Sequence, residues 1–215
     1  MTSINNNLSI KTLYIKNIIF DFDGVIADTL EIKAEAFQKI YKDYSTDKII
    51  NNKIKEYHLK NGGVSRIEKF KYFHNFFLKK ELFPSEIKVL SEKFDNYVNA
   101  KIKKIDATKN FMNFINRCKK KNLNLFISSA ATQNNIKIFL SSKGILNYFL
   151  EIFDQSLQKT DHIKNIKYKY NSNSKNTIFI GDSKSDIDAS SDNNIDIFKR
   201  KHKYNKLLFK NNNNL

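Results

Sequence analysis

At 215 residues and 40% hydrophobic content, the chain is long enough for one full domain with a sizeable core plus a smaller module, and no window approaches the ~18–20 consecutive apolar residues of a membrane span. Its formal charge of +16 would suit a nucleic-acid partner, but 35 of its 38 basic residues are lysine, a composition bias spread over solvated faces rather than the arginine-using groove that bidentate phosphate and base contacts favour. A single cysteine, Cys118, excludes an intramolecular disulfide, and with no signal-peptide order in residues 1–11 the expectation is a cytoplasmic protein without a membrane or nucleic-acid partner.

Residues 1–12 are polar and Asn-rich and read as a loose leader. A strand is predicted over 14–21, and helical periodicity begins near Thr29 with Leu30, Ala34, Phe37, Ile40 and Tyr41. From there to about residue 104 no strand pattern occurs. The stretches 49–60, 64–80 and 84–104 read as amphipathic helices, with Pro84, the only proline, at the first turn of the last. After Asp106 the texture changes. A helix over 107–121 leads to a strand over 123–129, and a helix over 134–143 ends at Gly144, a C-cap. A strand over 151–153, a helix over 160–170, a strand over 177–180, a helix over 185–193 and a strand over 195–198 follow. The basic, Asn-rich tail from 201 to 215 is expected to fray. Strands alternating with helices imply an α/β, doubly wound parallel sheet. The expected organisation is therefore a core of 13–28 and 106–200, an inserted helical module of 29–105, and flexible termini at 1–12 and 201–215.

The first strand carries the strongest signal. Ile18-Ile19-Phe20-Asp21-Phe22-Asp23-Gly24 is an apolar run ending in two aspartates one residue apart. Carboxylates delivered by a buried strand are costly unless something neutralises them, and a hard divalent cation prefers such oxygens. In open α/β sheets ligands sit beyond the carboxyl ends of the strands. Three further segments bring polar groups there: Ser128-Ser129, Lys159 near a helix start, and Gly181-Asp182-Ser183-Lys184-Ser185-Asp186.

In order and chemistry these four segments resemble motifs I to IV of the haloacid dehalogenase-like phosphohydrolases, with Asp21 through Thr29 matching DxDG[VIT]xxD[ST]. The resemblance covers residues 14–200 and implies a helical cap in the insertion. It implies Asp21 as nucleophile, and Asp23 as the acid that protonates the leaving oxygen and later deprotonates water. It implies Mg²⁺ held by Asp21, the Asp23 backbone carbonyl and Asp182, with Asp186 acting through water or neighbouring groups. Ser129 and Lys159 would bind the transferring phosphoryl oxygens. Alternate strand residues share a face, so both aspartates are expected on one side. Ser129 is preferred to Ser128 by its spacing to Ile145. The usual lysine-proline is here Lys159-Thr160, which leaves Lys164 as a fallback.

The second informative stretch is Asn61-Gly62-Gly63-Val64-Ser65-Arg66-Ile67-Glu68-Lys69. Paired glycines make a flexible loop, and Ser65 with Glu68 forms a capping-box pattern that puts Arg66 in a helix's first turn. A cation there opposes the helix dipole, so Arg66, one of three arginines, has another use. The stretch resembles the Gly-Val-Ser-Arg cap loop of the β-phosphoglucomutases, where the arginine holds a substrate phosphate. Arg66 is therefore the substrate candidate, followed by Asn61 and Lys69. His58 and His74 are expected to pack. Phe70, Phe73, Phe76 and Phe77 form a stripe for the cap core or a dimer contact.

The leading expectation is a Mg²⁺-dependent phosphatase of a small phosphorylated metabolite, a sugar phosphate or phosphoglycolate-like acid, working as a monomer or homodimer. The alternative is a phosphomutase. A nucleic-acid-binding role conflicts with the acidic set, and the metal-free dehalogenase branch would resist chelation.

Overall fold

Short runs rich in aliphatic and aromatic residues, buried in the central strands, form five parallel strands: β1 (Asn17–Phe20), β2 (Asn124–Ser128), β3 (Glu151–Phe153), β4 (Thr177–Gly181) and β5 (Asp196–Lys199). The computed structural model describes residues 15–202 together with 204 and 205. The leader expected at 1–12 lies outside the described residues, as does the tail from 206. The sheet order is β3-β2-β1-β4-β5, so β1 is central. All four of its residues are buried, which is why it reads as a continuous apolar run and not as an alternating one. Register pairs Phe20 with Ile127 on one side and Ile180 on the other. Asp21, Ser128 and Gly181 are thus level at the carboxyl edge. The chain leaves β1 toward β2 and β3, then returns to its other side at β4, which makes a topological switch point beside β1.

The helices among the described residues are α1 (Leu30–Tyr41), α2 (Lys48–Lys60), α3 (Arg66–Tyr72), α4 (Pro84–Ile102), α5 (Phe111–Lys120), α6 (Gln133–Ser142), α7 (Lys159–Lys169) and α8 (Lys184–Asp192). The first four follow one another between β1 and β2 with no strand among them. They pack around Phe37, Phe70, Phe73 and Phe94, whose rings meet at centroid distances of 4.6–5.7 Å about Phe37, each edge-on or tilted contact adding to area burial. None of the described helices is long and apolar enough to cross a membrane.

Three expected boundaries change for physical reasons. The helix expected over 64–80 begins at Arg66, because the Ser65 hydroxyl caps it by accepting from the Glu68 N–H at 3.3 Å. Its second half, Phe73–Leu78, is a π-helix, whose wider turn lets the adjacent Phe73 and His74 both be buried. Lys79, left-handed at φ 55°, ends it. The helix expected from 107 starts only at Phe111. Asn110 is left-handed at φ 66°, and Thr108 is tied to the loop after β1 by its N–H to the Ile26 carbonyl at 3.0 Å. The third change is in the tail. His202 and Asn205, expected to fray, bond instead to the polar edge of the sheet, where they satisfy the carbonyl and carboxylate of Asp182.

Candidate active site

β1 ends at Phe20, and the Asp21 N–H donates to the Ile180 carbonyl at 2.9 Å. The chain then turns sharply through Gly24 at φ 77°. A Cβ at that position would also lie 2.6 Å from Asp182 Oδ2, so both conformation and space call for glycine. Asp21 and Asp23 lie past the strand, and their carboxylates take different partners.

Asp21 joins a cluster. One carboxylate oxygen each from Asp21, Asp182 and Asp186 lie within 4.8 Å of one another, and all three residues are buried. Lys159, the first residue of α7, puts Nζ 2.8 Å from Asp21 Oδ1 and 2.6 Å from Asp186 Oδ1. Burial depresses the lysine's pKa, but Asp186 and Asp21 outweigh it and hold the ammonium well above its usual range. Asp21 itself is raised well above a normal carboxyl. Burial is the main cause; Lys159 opposes it and the neighbouring Asp186, Asp182 and Asp23 add to it. Burial and the Asp186 charge push Asp182 up to about 7. The second oxygen of Asp186 accepts the Asp182 N–H at 3.1 Å, the Ser183 N–H at 2.9 Å and the Ser183 hydroxyl at 2.7 Å. Asp186 thereby fixes both Lys159 and the loop that carries Asp182.

Two buried carboxylates whose proton affinity is raised mark a site short of positive charge, and a hard divalent cation fits that donor set. A stability test follows. A carboxyl whose folded pKa exceeds its unfolded value stabilises the fold below the unfolded pKa and loses that contribution as pH rises through the folded one. In EDTA, the Asp182 contribution should therefore vanish between pH 4 and about 7. Thermal melts in EDTA and in Mg²⁺ should differ by roughly 5 °C at pH 8 and by little at pH 5.

Asp23 faces the helices between β1 and β2. The Thr29 hydroxyl donates to Oδ1, and Lys33 Nζ lies 2.6 Å from Oδ2. Burial pushes the Asp23 pKa up, but Lys33 and Thr29 outweigh it and hold the carboxyl below its usual range. Of the two serines ending β2, Ser128 is committed to His162 Nδ1 at 2.8 Å. The Ser129 hydroxyl accepts from the Ala131 N–H at 3.1 Å, which leaves its own proton available to a ligand. Lys164 is exposed and pairs with Asp161 of its own helix, while Lys159 is the α7 lysine bonded to Asp21 and Asp186, so the fallback for Lys159 is not needed.

Beyond Asp23 lies a narrow cleft, lined by Lys33, Arg66 and Lys69 from the helices and by Thr132 and Gln155 from the sheet side. Arg66 pairs with Asp95 at 2.5 Å. Lys69 is buried with Nζ 3.0 Å from His58 Nδ1, while His58 Nε2 meets the Leu30 carbonyl at 3.2 Å. Burial and then Lys33 lower the Lys69 pKa to about 7. Arg66 Nε, Thr132 Oγ1 and Gln155 Oε1 are buried with no hydrogen-bond partner among the described residues. Three such atoms around one cleft leave room for a polar ligand. Asn61 is not among the cleft residues, since its amide caps α2 on the Tyr57 carbonyl at 2.8 Å. Gly63 is the point where the two parts meet: a Cβ there would collide with Ser183 and Ser185.

Sequence reasoning missed Lys33, His202 and Asn205, and had Thr29 only as the last residue of the first motif. Lys33 did leave a trace, a lysine on the face of α1 that otherwise buries Leu30, Ala34, Phe37 and Tyr41.

A parallel sheet with its switch point at an aspartate cluster, and helices inserted after the first strand, defines an α/β protein of the capped type with a ligand site at the carboxyl edge of its sheet. A family model described as haloacid dehalogenase-like hydrolase matches residues 18–199, and the chain belongs to that family as an enzyme of the phosphatase kind. Among curated proteins no sequence matches it. Similar solved structures include β-phosphoglucomutase from Clostridium difficile, 27% identical with TM-score 0.75 over 89% of this chain and 86% of that one. A predicted phosphoglycolate phosphatase from Haemophilus somnus is 19% identical with TM-score 0.74, covering 86% and 85% of the two chains. CbbY from Rhodobacter sphaeroides, in complex with phosphate, is 16% identical with TM-score 0.74 over 89% and 88%. At those last two identities the likeness is one of fold.

Proposed function

We propose that the protein is a Mg²⁺-dependent hydrolase of a small phosphorylated metabolite, a sugar phosphate or phosphoglycolate-like acid, and that it works through an aspartyl-phosphate on Asp21. The observation that supports it best is the placement of Asp21 against Lys159 and Asp182, with Asp23 at the mouth of a cleft holding unpartnered polar atoms. Asp21, Asp182 and the Asp23 backbone carbonyl would hold Mg²⁺, with Asp186 positioning the others. When bound, the cation screens the charge of the phosphate. Asp21 attacks phosphorus, while Lys159 and the Ser129 hydroxyl hold the transferring oxygens. Asp23 would protonate the leaving oxygen and then deprotonate the water that frees Asp21, a role that requires bound substrate to raise its carboxyl from the low range Lys33 and Thr29 impose on it here.

The cap side of the cleft suits a substrate with a second anionic group. Arg66 and Lys69 are its recognition residues in this reading, and Asn61 has no part in it. Arg66→Ala should raise KM about 10-fold or more for substrates with a distal phosphate or carboxylate, in line with charge-assisted hydrogen bonds, and change KM little for neutral ones. An equal effect on every substrate would exclude this assignment. Lys69 is half-charged near pH 7, so KM for the same substrates should rise between pH 6 and 8, and Lys69→Met should flatten that profile.

A phosphomutase is the second reading, favoured by Gly63-Val64-Ser65-Arg66 and by the likeness to β-phosphoglucomutase. Free phosphate and isomer formation should be measured over a panel of sugar phosphates, with and without a bisphosphate primer. Net phosphate release supports the hydrolase. Isomerisation without release would replace it by the mutase.

A further inference from the structure

Asp182 is held at three points, and two of the holds come from the segment just after β5. His202 Nε2 lies 2.6 Å from Asp182 Oδ2. Its Nδ1 accepts the Tyr204 N–H at 3.2 Å, which fixes the tautomer: Nε2 carries the hydrogen and donates it to the carboxylate. Asn205, itself buried, donates from Nδ2 to the Asp182 carbonyl at 2.8 Å and to the Arg200 carbonyl at 2.9 Å. Its Oδ1 accepts the His202 N–H at 2.8 Å, so the two residues brace each other. Arg200 ties the start of the segment to the same edge, through its N–H to the Gly181 carbonyl at 2.8 Å and its guanidinium to the Gly24 carbonyl.

We infer that His202 and Asn205 form a clamp that positions Asp182 for the cation, so that the segment following the last strand sets the metal affinity of the site. The physical reason is that the imidazole bond to Oδ2 resists rotation of the Asp182 carboxylate, which also keeps one oxygen in the cluster with Asp21 and Asp186. Hydrogen-bonded support of this kind is commonly worth 10–100-fold in metal affinity. This inference rests on the metal reading above. Neither residue reaches the three-carboxylate cluster as a ligand of its own, so both are positioning residues.

The test is calorimetric titration of Mg²⁺ into the full chain, paired with thermal melts in EDTA. The wild-type chain should bind one Mg²⁺. His202→Ala and Asn205→Ala should each bind it about 10-fold more weakly, and His202→Gln, which keeps a donor, should recover most of the loss. Should the alanine variants fail to fold, His202→Gln against His202→Leu carries the same comparison. Wild-type binding with unchanged or tighter binding in the folded variants overturns the clamp and leaves the metal reading intact. No Mg²⁺ uptake by the wild-type chain overturns both.

Discussion

Asp21→Asn is expected to lower turnover of any phosphomonoester by at least about 10⁴-fold, the scale at which loss of a covalent nucleophile is felt, while the protein stays folded. The two halves of that expectation have separate causes. Asparagine keeps the size of the side chain and can still accept from Lys159, but its amide cannot form an acyl-phosphate. It also removes one of the carboxylates that crowd the edge, where burial and like charge already hold Asp21 well above its usual pKa. The metal-free variant should therefore melt no lower than the wild type, and its Mg²⁺ affinity should fall as a ligand is lost. Assay of phosphate release beside a melt in EDTA checks both. Turnover within tenfold of wild type would contradict the covalent route, and a lower melting temperature would contradict the charge-crowding account of the cluster.

Much of this site was legible in the chain because the sheet writes its catalytic edge in order. β1 is central and buried on both faces, so its sequence is an unbroken apolar run, and whatever follows it must lie at the carboxyl edge. Ser129 and Asp182 each come one residue after the strand ends that register sets level with Asp21, and Lys159 opens a later helix. What was not legible depends on contacts that leave no local pattern. Asp21 and Asp23 were expected side by side from strand alternation; the strand stops at Phe20, and Asp23 is held by Thr29 and Lys33 while its charge still acts on Asp21. The π-helix after Tyr72 has the same apolar spacing as an ordinary helix until His74 must be buried. His202 and Asn205 sit in a Lys- and Asn-rich tail whose composition reads as solvated; only tertiary hydrogen bonding distinguishes them from their neighbours. Lys159 was one lysine among 35, and its burial between two carboxylates is what sets it apart.

That burial makes Lys159→Met the second large-effect variant, and its effect is on stability as well as chemistry. Lys159 is 7% exposed and bonds Asp21 and Asp186 together. Methionine fills a similar volume but supplies no charge, so both carboxylates are left buried and unpaired, a loss of about 3–5 kcal/mol. In a chain of this length that corresponds to a fall in melting temperature of roughly 10 °C. The pH dependence gives the cause away. Without the ammonium the folded pKa of Asp21, already held up by burial, rises further above that of the unfolded chain, so the protonated folded form is favoured at low pH and stability is lost as pH rises through the folded value. The deficit should thus be small at pH 5 and full at pH 8. Mg²⁺ at millimolar concentration should restore part of it at pH 8, because a cation can replace the missing ammonium at the same oxygens. Turnover should not return with stability, since the phosphoryl oxygens would still lack their donor, a loss of about 10²–10³-fold in kcat. A deficit equal at both pH values and indifferent to Mg²⁺ would mean that Lys159 serves packing alone; recovery of turnover with Mg²⁺ would remove it from the phosphoryl site.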